Sequence, residues 1–232
     1  MISLPRWLRR APRVGRRTHT ICQDPCPVAF IVGLHGYGAD ERQIASLVPL
    51  SLDAPVRYLA PRAPHPIHGG GYGWFPIANP AEGPTADPAE VAKSCQALLD
   101  WIDAEAHGLP VVVVGYSQGG SMAMEMALRF GDRFAAIAVM AGALLTRPPP
   151  VSNHDLRPLF FGYGRRDPLI DPARRADDVA ILRARGWIVE DHTYNIGHVV
   201  SAAERRDLMR WLNRSLVRNG HFNPTGEHHA HR

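Results

Sequence analysis

Short apolar runs alternate with amphipathic stretches from residue 28 almost to the end of the chain. The runs are rich in valine, isoleucine and alanine, which is typical of strands buried on both faces. The stretches between them place apolar residues three and four positions apart, which predicts helices. Six strands are predicted, at 28–34, 56–61, 111–115, 134–142, 158–164 and 187–194, and five helices, at 40–50, 89–106, 119–130, 171–186 and 201–217. This alternation predicts an α/β fold, with a mostly parallel sheet covered by helices on both faces in one domain.

The pattern is interrupted over residues 61–88, where seven prolines and five glycines fall within 28 residues. We expect no regular structure in this segment. Loops of this length are uncommon in compact domains and are often functional. The embedded Tyr72, Trp74 and Phe75 favour a packed loop with a function.

The amino-terminal residues differ from the rest of the chain in charge. Six of the first twenty are arginines and none is acidic, so the net charge of +4 becomes −2 when they are removed. The remainder is nearly neutral, so the composition gives no argument for nucleic-acid binding. We predict a flexible basic arm over 1–26, one folded domain over 27–218 and a polar, histidine-containing tail over 219–232. A targeting peptide or a wrongly assigned start codon is the alternative for the arm, and weak metal binding is the alternative for the tail.

Membrane insertion and a disulfide framework are both disfavoured. No apolar run approaches the eighteen or so residues that a membrane span needs. The three cysteines, Cys22, Cys26 and Cys95, are too few for a disulfide framework. Both features favour a cytoplasmic location.

A serine lies where the apolar pattern changes from strand to helix. Ser117 follows the run VVVV and stands between Gly115 and Gly119, just before the helix predicted at 119–130. A tight strand-to-helix turn needs small neighbours and presents the serine hydroxyl at the carboxyl edge of the sheet. We therefore predict that Ser117 is a nucleophile.

A nucleophilic serine needs a histidine base and an acid that orients it, and in this architecture the chain order is serine, acid, histidine. His198 lies in the loop after the last strand, whereas His192 lies within that strand and His154 leaves no room for a preceding acid. Asp167 directly follows the fifth strand, and Asp171 fits better as a helix N-cap. We predict that His198 is the base and Asp167 the acid.

Two backbone amides are candidates for binding the oxyanion of a tetrahedral intermediate. One is the N–H of Gln118, directly after the nucleophile, and the other is the N–H of Tyr37 in the loop LHGYGAD at 34–40. His35, in the same loop, is expected to be a buried residue that shapes it.

The ordered motifs resemble the carboxylesterase/phospholipase family of α/β-hydrolases, which includes the acyl-protein thioesterases. The resemblance covers roughly residues 27–217 and rests on LHGYGAD, GYGWFPI, GYSQGG, GRRDPLI and GHVVS followed by RWL. It implies the same triad and oxyanion donors, with no cofactor and no metal. It also implies an acyl-binding groove lined by Trp74, Phe75, Leu169 and Ile170.

Together these features predict a serine hydrolase that cleaves carboxylic esters or thioesters through an acyl-enzyme. The expected partner is a small acyl ester or thioester, with no nucleic acid and no stable membrane insertion, and a homodimer is left open. One alternative is a serine peptidase on the same scaffold, which the lack of a propeller or gating domain in these 232 residues disfavours. The other is a binding protein that has lost catalysis, against which the complete triad argues.

Overall fold

The computed structural model describes five segments of the chain, residues 26–48, 52–77, 85–146, 156–170 and 172–219. The predicted basic arm and polar tail lie outside these segments, apart from the single residue at the inner end of each. His154 and Asp171 also lie outside them.

Six parallel strands form the central sheet. They are β1 (Ala29–Leu34), β2 (Val56–Leu59), β3 (Val111–Tyr116), β4 (Ala136–Met140), β5 (Arg157–Gly164) and β6 (Trp187–Tyr194). Their order across the sheet is β2-β1-β3-β4-β5-β6. The six predicted strands are therefore confirmed, and the parallel arrangement brings all their carboxyl ends to one edge.

Five helices cover the two faces of the sheet. They are α1 (Glu41–Leu47), α2 (Pro88–Ala106), α3 (Gln118–Phe130), α4 (Pro172–Ala184) and α5 (Ala202–Asn219). Buried apolar residues of α2, α3 and α4 pack in one core cluster, and those of α1 and α5 pack in a second. This two-sided arrangement confirms the predicted α/β fold. Among the helices of the described segments, none is both long and apolar enough to cross a bilayer.

The expectation of no regular structure over 61–88 is wrong at one place. His65–Pro66 and Tyr72–Gly73 pair as a short antiparallel ribbon. The ribbon is tied to the loop after β1, because Tyr72 N–H donates to the Ala39 carbonyl at 2.8 Å and Gly38 N–H donates to the Tyr72 carbonyl at 2.9 Å. Proline and glycine content did not exclude pairing because each strand needs only two residues.

Candidate active site

Ser117 occupies a strained turn between β3 and α3. Its φ of 55° and ψ of −121° lie in a region that residues with side chains rarely adopt. The glycine spacing around it has a steric cause, because a Cβ on Gly119 would overlap the Leu34 carbonyl oxygen and a Cβ on Gly115 would overlap the Gly119 carbonyl. The Ser117 N–H donates to the Met140 carbonyl at 2.9 Å, which fixes the turn against β4. The turn thus holds the serine hydroxyl at the carboxyl edge of the sheet.

The side chains of Ser117, His198 and Asp167 form one hydrogen-bonded line. Ser117 Oγ lies 2.8 Å from His198 Nε2, and His198 Nδ1 lies 2.7 Å from Asp167 Oδ2. The Asp167 carboxylate is fully buried, and its second oxygen accepts a hydrogen bond of 2.8 Å from the Leu169 N–H. Since an ionised carboxylate only accepts, the Nδ1 proton points to Asp167 and Nε2 is left as the acceptor for the serine hydroxyl.

His192, the alternative histidine within a strand, is engaged elsewhere. Its ring stacks on Phe160 with a centroid separation of 4.8 Å, and its Nε2 lies 3.0 Å from Glu190 Oε1. This leaves His198 as the histidine in contact with Ser117 among the described residues.

Hydrogen bonds between side chains and backbone groups hold the loop after β1 in place. Gly36 N–H donates to Gln43 Oε1 at 2.8 Å, and Ala63 N–H donates to His35 Nε2 at 3.0 Å, so the Nδ1 proton of His35 is directed at the Gly36 carbonyl, 2.8 Å away. Burial lowers the pKa of His35, which favours this neutral form. His35 therefore shapes the loop, as expected.

The two amides predicted as oxyanion donors belong to Tyr37, in this loop, and to Gln118, in the first turn of α3. Within the described segments no acceptor is hydrogen-bonded to either N–H. The first amides of a helix have no acceptor within that helix, which leaves the Gln118 N–H available to a ligand.

Trp74 and Phe75 do not line an open groove, contrary to what the resemblance implied. Both side chains are 0% exposed and belong to the core on the α2 and α3 side of the sheet. The Gln118 side chain binds this segment from both ends of its amide, accepting from the Trp74 N–H at 2.8 Å and donating to the Phe75 carbonyl at 2.8 Å. The Trp74 indole N–H donates to the His35 carbonyl at 2.8 Å. The two aromatic residues thus support the loop after β1 from beneath.

Exposed apolar side chains occur next to each part of the site. Leu169 is 47% exposed and lies two residues after Asp167, Tyr37 is 37% exposed, and Val199, directly after His198, is 56% exposed. Ile170 is buried against Ala141 and Ala143. Of the four residues predicted to bind substrate, only Leu169 is accessible to it.

Sequence reasoning missed Tyr116 and the true role of Gln43. The Tyr116 hydroxyl donates to the His198 carbonyl at 2.9 Å, and the two rings lie 5.7 Å apart. Asp40 and Gln43 have the spacing of a capping box, but the Asp40 carboxylate accepts from the Arg42 N–H and the Gln43 side-chain oxygen accepts from the Gly36 N–H. No residue pattern predicts either contact, since each joins positions on different elements.

Within the described residues there is no group of three or more His, Cys, Asp or Glu side chains that could hold a metal ion.

A parallel sheet with a serine on the sharp turn between a strand and the following helix is typical of the α/β-hydrolase fold. The sequence profile of the Phospholipase/Carboxylesterase family matches residues 17–216, so the chain belongs to that family. This confirms the family expected from the sequence motifs.

Named relatives include esterase-type and thioesterase-type hydrolases. The chain is 29% identical to acyl-protein thioesterase 1 of Neurospora crassa over 231 residues, covering 88% of this chain and 90% of the relative. It is 30% identical over 145 residues to "Putative esterase NocK" of Nocardia uniformis, covering 62% of this chain and only 40% of that longer protein. Among solved structures, the Bacillus cereus carboxylesterase superposes with a TM-score of 0.72 at 20% identity, covering 81% of this chain and 88% of the other. This last likeness concerns the fold alone.

Proposed function

We propose that the protein is a serine hydrolase that cleaves carboxylic esters or thioesters through an acyl-enzyme intermediate. The observation that carries the proposal is the line of short contacts from Ser117 Oγ through His198 to the buried carboxylate of Asp167. In this line each group has the neighbour that its role requires, because a serine hydroxyl is a poor nucleophile without an adjacent base.

In the first half of the reaction Ser117 Oγ attacks the carbonyl carbon of the substrate and its proton passes to His198 Nε2. The carbonyl oxygen becomes an oxyanion, which the N–H groups of Tyr37 and Gln118 stabilise. One such donor is typically worth about 3 kcal/mol in the barrier. The intermediate collapses when the imidazolium gives its proton to the departing alcohol or thiol, and the acyl group stays on Ser117.

In the second half water takes the place of the leaving group. His198 Nε2 accepts a proton from the water, whose oxygen attacks the acyl carbonyl, and the proton then returns to Ser117 Oγ as the acid leaves. Asp167 remains ionised throughout, orients the imidazole and stabilises its positive charge. Its burial supports this role, because removal of water strengthens the interaction between the two charges.

The acyl group is proposed to lie along the exposed apolar side chains beside the site, with Leu169 as the main contact. The backbone N–H of Leu169 donates a hydrogen bond to Asp167 Oδ1, which fixes the position of Leu169 relative to the triad. Thioesters are included because the relative from Neurospora crassa is named as an acyl-protein thioesterase. A thiolate is also a better leaving group than an alkoxide, so thioesters need less assistance from His198.

The proposal is tested with a fluorophosphonate probe and with p-nitrophenyl butyrate. The wild-type protein should hydrolyse the ester with a burst of nitrophenol, and the probe should label Ser117 and abolish turnover. Ser117→Ala should lose both properties, whereas Ser46→Ala, at an exposed serine on α1, should keep them. Hydrolysis that survives in Ser117→Ala would refute the assignment. A butyryl amide compared with the ester would reveal peptidase activity, and a protein with neither turnover nor labelling would be the binding protein of the second alternative.

A further inference from the structure

Glu204 is a buried carboxyl group that the proposed mechanism does not use. It lies in the first turn of α5, its residue is 1% exposed, and neither carboxyl oxygen has a hydrogen-bond partner. Its side chain turns inward over β5, where a Cβ on Gly162 would overlap Glu204 Oε1. A buried carboxyl group with no partner is costly when it is ionised, so its place in the fold calls for a reason.

The groups that face this carboxyl from the neighbouring elements offer it no positive partner. β3 contributes Tyr116, α5 itself contributes Asp207, and β6 contributes Tyr194, whose hydroxyl donates to Asp207 at 3.0 Å. His192, the register partner of Gly162 on β6, is engaged with Glu190. β5 contributes Gly162, which has no side chain, at the point of contact. Within the described residues, no arginine, lysine or histidine forms an ion pair with Glu204. The environment therefore favours the uncharged carboxylic acid.

The pKa of Glu204 agrees with this description. The pKa is raised from 4.5 to about 7, because burial and, to a smaller extent, the negative charge of Asp207 raise it by more than the nearby Ser201 amide lowers it. Around neutral pH the group therefore stands close to its point of ionisation.

Two connections join Glu204 to the turn that carries His198. The Glu204 N–H donates to Ser201 Oγ at 3.0 Å, so Ser201 caps the first turn of α5 and lies three residues after His198. The Tyr116 hydroxyl donates to the His198 carbonyl and also lies close enough to Glu204 to interact with its charge. Burial raises the pKa of Tyr116, and the negative charges of Asp167 and Glu204 raise it further. The carboxyl group thus lies behind the backbone that sets the position of the imidazole.

We propose that Glu204 is a positioning residue for His198. As an uncharged acid it keeps the turn at 197–201 packed against β5, and its ionisation displaces that turn. A carboxylate at this place is drawn toward water, and the first turn of α5 must open to admit it. When this helical turn opens, His198 moves away from Ser117, while the loop after β1 that carries Tyr37 does not move. The ionisation therefore affects kcat and leaves KM unchanged. This inference rests on the proposed function, because it concerns the base of that reaction.

The test compares the pH dependence of kcat and KM for p-nitrophenyl butyrate in the wild-type protein, Glu204→Gln and Glu90→Gln. Glu90 is a matched control, because it also lies in the first turn of a helix, three residues after the Asp87 cap of α2, but is partly exposed. In the wild type and in Glu90→Gln, kcat should fall by at least about fivefold from pH 7 to pH 9. In Glu204→Gln this alkaline fall should disappear, because the amide does not ionise. A merely structural role for Glu204 would scale kcat equally at every pH, and that result would overturn the proposal.

A second measurement needs no variant and no activity. Amide hydrogen exchange of residues 196–204 in the wild-type protein, corrected for the intrinsic dependence on pH, should show loss of protection between pH 6 and pH 9, while residues 88–93 of α2 should not. Unchanged protection of 196–204 would overturn the proposal even if Glu204→Gln failed to fold. Failure of the proposed function is a separate outcome, since it would appear as absence of hydrolysis and of Ser117 labelling at every pH.

Discussion

Replacement of Glu204 by glutamine should make the stability of the protein less dependent on pH. Glutamine has nearly the shape of the carboxylic acid but cannot ionise, so it retains the packing over Gly162 and removes the buried charge. At any one pH, the difference in unfolding free energy between the two proteins, which we call the offset, includes the unknown preference of the site for an amide over a carboxylic acid. The change of this offset with pH depends only on the titration of Glu204.

The magnitude follows from the pKa of the buried carboxyl. The pKa of Glu204 is raised from 4.5 to about 7, mainly by burial, so the folded protein holds this proton at pH values where the unfolded chain has released it. The stabilisation is full below the unfolded pKa and is lost as the pH rises through the folded pKa. At about 1.4 kcal/mol for each pH unit between the two values, the loss reaches about 3 kcal/mol, of which about 2.5 kcal/mol falls between pH 5 and pH 9.

The assay is urea unfolding of the wild type, Glu204→Gln and Glu90→Gln at each pH from 5 to 9, followed by tryptophan fluorescence. The free energy of unfolding of Glu204→Gln, relative to the wild type, should rise by about 2.5 kcal/mol across this range. The offset for Glu90→Gln should stay nearly constant. An offset for Glu204→Gln that changes by less than about 0.5 kcal/mol would mean that this carboxyl is ionised and solvated in the folded protein, and the reasoning from its burial would be wrong.

Three further variants test the rest of the site. Asp167→Asn should lower kcat by about four orders of magnitude with an unchanged circular dichroism spectrum, because an amide donor reverses the tautomer of His198; a loss below tenfold would contradict the role given to the acid. Gly119→Ala should lose at least about 2 kcal/mol of unfolding free energy, because its Cβ would overlap the Leu34 carbonyl oxygen, and a stability equal to the wild type would show that the turn has room to relax. Leu169→Ser should lower kcat/KM for octanoyl esters by about tenfold and leave acetyl esters within about twofold, since the contact proposed for Leu169 is with the acyl chain and an acetyl group has almost none. Equal losses on both esters would argue against contact with the acyl group.

The sheet and the meeting point of the three polar side chains could be predicted because both follow from local pattern. Buried parallel strands appear as nearly continuous apolar runs, and parallel strands share one carboxyl edge. Ser117, Asp167 and His198 each follow a strand, so their proximity is a consequence of topology. The contacts of 2.8 and 2.7 Å agree with that topology, while the catalytic roles remain predictions for the experiments above.

The positions of Trp74 and Gln43 could not be predicted, because each depends on a partner far away in the sequence. The aromatic residues of the segment that holds Trp74 favour a packed loop but do not indicate what Trp74 packs against, and in the structure its indole N–H donates to the His35 carbonyl and its ring is buried in the core. Gln43 has the spacing of a capping residue, but the Gly36 N–H, displayed by the loop after β1, competes for the same side chain and binds it. In both cases a backbone group of that loop is satisfied by a side chain whose local sequence predicts another role.

Glu204 is the strongest example of a side chain whose position could not be predicted from its local sequence. Ser201 and Glu204 have the spacing of a capping box, in which the carboxylate returns to the free amide of the cap and stays near solvent. What permits the inward position is Gly162, which leaves open the volume that any side chain on that face of β5 would fill. A glycine inside a buried strand gives up apolar contact and weakens the strand, so at this place the fold accepts two unfavourable features, a missing side chain and a carboxyl group without a partner. Gly162 and Glu204 both lie behind the turn that carries His198. Together they make the position of this proposed base depend on whether Glu204 holds its proton.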